Sequence, residues 1–146
     1  MKGMTIIVKK ITQIVAPLIF VYGIYIVIHG HLSPGGGFAG GVIMAGAFIL
    51  QILANGSILS KLRKQESGLE FLESAAILGF LIIAGLGLLI SSSLTFFFNF
   101  LSKGTIGKLI SAGVIPIENV VVGLEVCAAI TTIFIALAVF EKEEKE

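Results

Sequence analysis

The chain has 146 residues, of which 56% are hydrophobic and only 13% charged, with a mean hydropathy of +1.06. An average soluble domain carries about 25% charged residues, so this chain lacks the polar surface to cover itself in water and reads as an integral membrane protein. A formal net charge of +1 excludes bulk electrostatic attraction as a basis for binding nucleic acid or an acidic partner.

Four charge-poor runs follow one another, at about 11–29, 37–54, 74–98 and 116–140. Each reaches or approaches the roughly 20 residues needed to cross a hydrocarbon core. The alternation of a barrel strand is absent, and four segments could not close a barrel, so the spans are helices. The expected architecture is an all-α membrane protein with four transmembrane helices in a single membrane domain. The N-terminal MKGMTIIVKK precedes a long apolar run with no small-residue cleavage site behind it, which reads as a retained first span.

Orientation follows from the cations. Lys2, Lys9, Lys10, Lys61, Arg63, Lys64, Lys142 and Lys145 fall on one side of a four-span topology, against Lys103 and Lys108 on the other. Eight against two predicts that both termini are cytoplasmic and that the loop between spans one and two faces outward. Span three is expected to close on SSSLTFFFNF, Ser91–Phe100, with its phenylalanines as an interfacial belt. The loop beyond it carries Gly104, Gly107, Gly113 and Pro116 and is too polar and broken to span. EKEEKE reads as a solvated charged end.

The most specific stretch is His29–Ala47, HGHLSPGGGFAGGVIMAGA. Pro34 fixes its own φ and biases Ser33 away from helix, which sets a corner around His31–Pro34. Gly35, Gly36 and Gly37 then open conformations closed to other residues. Gly37, Gly41 and Ala45 form one small-residue stripe, and Gly36, Gly40 and, slightly offset, Ala47 form a second. Small residues at four-residue spacing on two faces let two neighbouring helices approach closely. A phosphate loop lacks its Gly-Lys-Ser/Thr ending here, and His29 with His31 makes only two metal ligands with no Cys or carboxylate nearby. Helix packing and a helix start lining an ion path both remain open.

GHLSPGGGFAGGV resembles the signature of the MnhB/MrpB family, whose members are membrane subunits of multisubunit Na+/H+ antiporters. The matching positions are Gly30, His31, Pro34, Gly35, Gly36, Gly37, Phe38, Gly40 and Gly41. A looser likeness runs from Ile115 to Val126, IPIENVVVGLEV, similar to the Ile-Pro…Asn…Val-Gly-Leu pattern that opens the last span of archaeal-type members. The resemblance implies a multi-pass subunit of the cell membrane, assembled with other antiporter-type membrane subunits, with Na+ and H+ as transported ions. The family also resembles a component of the ion-translocating module of membrane-bound hydrogenases and related respiratory complexes, so hydrogenase-type partners are the alternative setting.

Within the spans the charges are few. Glu118 stands near the start of span four and Glu125 two turns in, seven residues apart and about 10 Å along the axis on one face. Glu118 suits a headgroup-level position near a helix N-terminus. Glu125 is an intramembrane carboxylate and hence a functional candidate, as an ion or proton relay or as one half of an intersubunit ion pair. His31 is the one matched residue with an imidazole, a side chain able to take up and release a proton; its structural reading is a donor to a loop carbonyl. Cys127, the single cysteine, lies inside an apolar run and reads as a packing residue. With no ligand set for a cluster, no cofactor, metal or redox chemistry is expected of this chain. The expected function is a non-catalytic membrane subunit of a cation/proton antiport module. A place in an ion-pumping respiratory complex and a purely structural membrane anchor are the alternatives.

Overall fold

The structure is a computed structural model, and it describes residues 4–56, 66–90, 95–109 and 111–143. Four helices follow in chain order: α1 (Ile6–Ile28), α2 (Gly36–Ala54), α3 (Glu66–Ile90) and α4 (Ile115–Glu143). All four are long and apolar enough to cross a membrane, and the protein is a multi-pass membrane protein with an all-α fold. Lys2, Lys61, Arg63, Lys64, Lys145 and Ser91–Leu94 lie outside the described residues.

The helices do not pack in chain order. α1 and α2 form an antiparallel pair, α4 packs on α2 and touches α1, and α3 meets α4 alone among the described helices. α2 is therefore the most enclosed, with Ala45, Ala47 and Ile52 buried. The N–H of Met4 donates to the carbonyl of Ala54 and the Gln51 amide donates to the carbonyl of Thr12, which fastens the start of α1 to the end of α2. Phe20 and Phe48 meet edge to face at 5.4 Å, a favoured aromatic geometry. The outer face of α1 remains lipid-like, with Ile14 68% and Leu18 65% exposed. Because α3 leans on α4 only, an apolar cleft of about 190 Å³ opens between Phe20, Met44 and Phe48 on one side and Leu69 and Leu72 on the other.

The third span begins and ends eight residues earlier than 74–98, at Glu66–Ile90. Glu70 and Glu73 fall within its first eight residues, nearer the end of the span than its middle. The phenylalanines are not its last turn. Phe97 takes a left-handed φ of 59° and its N–H donates to the carbonyl of Ala84, so the segment doubles back over α3. Gly87 makes this possible, since a methyl group there would lie 3.2 Å from the Phe97 nitrogen. Phe97 packs on Phe80 at 5.4 Å. Hydropathy alone continues the span through this run, because it does not register the reversal. α1 starts five residues before its expected position and includes Lys9 and Lys10, and α4 continues to Glu143, into the charged tail.

Candidate functional site

α1 closes at His29, whose N–H returns to the carbonyl of Tyr25, and Leu32, Ser33 and the Ser33 hydroxyl all donate to the carbonyl of His29. Pro34 then leads into Gly35, with φ 152°, and Gly36, with φ 71°. Both values favour glycine, and they turn the chain into α2.

The two small-residue faces of α2 serve two neighbours. Gly37 faces the backbone carbonyl of Asn119 on α4, and a methyl group on Gly41 would lie 2.7 Å from the carbonyl of Gly123. Gly40 instead meets Val27 and the carbonyl of Gly23 on α1. Gly123 completes the arrangement: a methyl group there would lie 2.8 Å from Val27 and 3.4 Å from the carbonyl of Gly37. Three backbones thus converge at Val27, Gly37 and Gly123. Gly36 departs from its expected stripe and sits against Asn119 and Gly30. Phe38, 64% exposed, points away from this junction.

Asn119 is the residue that sequence reasoning missed. Its Oδ1 accepts the N–H of Gly37 at 3.3 Å, filling one of the four donors that a helix N-terminus leaves unpaired. Gly35, at the N-cap of α2, has no side chain to supply that acceptor, so it comes from 82 residues away. Asn99 plays the matching part for α4. Its Oδ1 accepts the N–H of Val114 at 3.2 Å and its amide donates to the carbonyl of Ala112 at 3.1 Å, across two left-handed residues, Ala112 and Gly113. A signal for Asn119 was present, since it and Gly123 fall within the looser IPIENVVVGLEV likeness; Asn99 had none.

The two histidines are held separately. His29 Nδ1 donates to the carbonyl of Tyr25 at 2.9 Å, and its ring stacks on Tyr25. His31 Nε2 lies 3.5 Å from the carbonyl of Lys108; a carbonyl only accepts, so that nitrogen carries the hydrogen. His31 Nδ1 is buried without a partner. His31 therefore ties the glycine corner to the long loop before α4, at the outer limit of hydrogen-bond length.

Glu118 sits in the first turn of α4, half-buried beside Asn119. Glu125 lies on the far side of α4 from Gly123, two residues or about 200° round the helix. It is half-buried in a groove of about 210 Å³ lined by Ile77 and Phe80 of α3 and by Val121 and Val122. Among the described residues, no hydrogen bond or ion pair joins Glu118, Glu125 and His31. A charge at mid-helix costs about 2.5–3.5 kcal/mol on insertion scales, which makes an unpaired Glu125 the expensive group of this bundle.

A family model described as a domain related to the MnhB subunit of Na+/H+ antiporter matches residues 7–132, which takes in the glycine corner, Asn99, Asn119 and Glu125. The chain belongs to this MnhB-related family. Relatives agree. An uncharacterized protein of Methanocaldococcus jannaschii is 39% identical over 132 residues, covering 88% of this chain and 50% of that protein. A Staphylococcus epidermidis protein named antiporter subunit mnhB2 is 44% identical over 54 residues, 37% of this chain and 38% of its own length. Among solved structures, a chain of the membrane-bound sulfane sulfur reductase, an archaeal respiratory membrane complex, superimposes with a TM-score of 0.74 at 31% identity, covering 90% of this chain and 57% of the other. The MnhB-related chain thus spans about half the length of the Methanocaldococcus jannaschii protein and of the sulfane sulfur reductase chain.

Proposed function

We propose that this protein is a non-catalytic membrane subunit of a multisubunit Na+(cation)/proton antiport module, contributing to ion translocation and to assembly of the complex. The observation that carries the reading is the MnhB-related match across residues 7–132. In this reading the glycine corner and Asn119 hold α1, α2 and α4 rigidly together. Glu125 is the ion or proton relay, because it is the mid-span carboxylate facing a groove. Glu118, nearer the interface, and His31, on the same side of the bundle as the corner, flank the route. The cation asymmetry supports a plasma-membrane topology with both termini cytoplasmic.

The test is cation-dependent proton exchange in vesicles containing the assembled complex. Glu125→Gln should depress exchange severalfold per assembled complex; full exchange in an assembled Glu125→Gln complex sinks the relay role. A second setting, the ion-pumping arm of a redox-driven respiratory complex, is favoured by the likeness to a chain of the sulfane sulfur reductase complex. Mild-detergent purification through a C-terminal tag separates the two. Antiporter-type subunits alone support the stand-alone module, and cluster-bearing subunits support the respiratory setting.

A further inference from the structure

α4 uses its circumference unevenly. The side carrying Asn119, Gly123 and Val126 is taken by α2 and α1. The neighbouring flank at Val121 faces α3, 3.9 Å from where a methyl group on Gly79 would lie. Between these flanks runs a line of half-buried polar and small residues at three-, four- and seven-residue spacing: Glu118, Glu125, Ala129, Thr132 and Ala136. No described helix covers this line. Its Ala129 and Ala136 are small, like the residues that α2 presents to α1 and α4 within the chain, and small residues let backbones approach closely. It also carries an unmatched charge. Among the described residues, no basic group reaches Glu125: Lys9 and Lys10 lie in the first turns of α1, at the end of the bundle opposite the glycine corner, and Lys103 and Lys108 lie in the loop before α4.

We infer that this face of α4, together with the Ile77–Phe80 edge of α3, is the seat of a transmembrane helix from another subunit that brings a lysine or arginine to the level of Glu125. The charge complementarity decides the occupant. A lipid tail would fill the apolar part of the groove but would leave the carboxylate unpaired. A helix packed along Ala129 and Ala136 lies close enough for a basic side chain to enter the 210 Å³ groove beside Ile77 and Phe80. The inference rests on the chain being one subunit of a complex and is independent of any transport role for Glu125.

The experiment places a photoreactive amino acid at Ala129 in the full chain, in native membranes, with Ile14 on the exposed face of α1 as comparison. Mass spectrometry then identifies what is captured. The expected adduct at Ala129 is a membrane polypeptide whose captured span contains a Lys or Arg, while Ile14 yields lipid. Glu125→Lys should abolish co-purification of that polypeptide, and reversal of the partner's basic residue to Glu should restore it. Ala129→Leu, uncharged and helix-favouring, should reduce co-purification by bulk alone. Lipid adducts only at Ala129, a captured span without a basic residue, or unchanged co-purification in Ala129→Leu each overturns the seat. The transport reading fails separately: partner capture with full exchange in Glu125→Gln upholds the seat and sinks the relay, and lost exchange with lipid-only adducts does the reverse.

Discussion

The side-chain oxygen of Asn119, on the fourth helix, accepts the backbone N–H of Gly37, in the first turn of the second, at 3.3 Å. A helix that opens on glycines has no side chain of its own to cap it, and here a neighbouring helix does so at the point where the two backbones nearly touch. Asn119→Ala should therefore destabilise the protein by about 0.5–2 kcal/mol, the usual loss for a helix cap. Thermal unfolding in mild detergent reads this, and Asn119→Asp, which keeps an acceptor oxygen, should lose less. A wild-type melting curve for Asn119→Ala would mean that the bond contributes nothing.

The glycines of α2 should respond to alanine with opposite signs. A methyl group at Gly37, Gly40 or Gly41 runs into backbone or Val27, whereas at Gly46 it meets nothing within 4 Å. Overpacking of this kind costs about 1–3 kcal/mol, while removing a glycine from an open helix position gains about 0.5–1 kcal/mol. Gly37→Ala and Gly41→Ala should lower the melting temperature and the yield of assembled complex, and Gly46→Ala should raise both slightly. Equal behaviour of the three variants would contradict the packing described.

Asn99 makes two hydrogen bonds that lock the long loop onto the start of α4. At a net value of about 0.5–1.5 kcal/mol for each bond, Asn99→Ala should loosen the loop without unfolding the bundle. Hydrogen exchange should quicken at Ala112–Glu118 and stay unchanged in α1 and α2. Uniform acceleration across all helices would instead give Asn99 a global role.

His31 reaches the carbonyl of Lys108 at only 3.5 Å, so its hydrogen bond adds little. His31→Gln, which keeps a donor, should lower stability by no more than about 0.5–1.5 kcal/mol, the net value of one hydrogen bond. Cation-dependent exchange measured on the same preparation then reports on the ion route alone. A large drop in melting temperature would show that the tie between corner and loop is structural.

Much of this molecule was readable in the residues themselves. Hydrophobicity accumulates locally, so four apolar runs announced four membrane helices. The four-residue spacing of Gly37 and Gly41 and the offset of Gly40 announced two close neighbours for α2. Glu125 stood out because a charge amid apolar residues needs no geometry to be noticed. The end of span three was not readable, since Phe96–Phe98 are as apolar as a helix and only the reversal at Phe97 and the gap above Gly87 remove them from it. Which neighbour lies on which face of α2, the capping of α2 by Asn119 and of α4 by Asn99, and the placing of Glu125 in the α3–α4 groove were decided by the tertiary structure. The physical reason is reach. Hydropathy and small-residue spacing act within a few turns of one helix, whereas an acceptor 82 residues away from its donor finds it only when packing has brought the two backbones together.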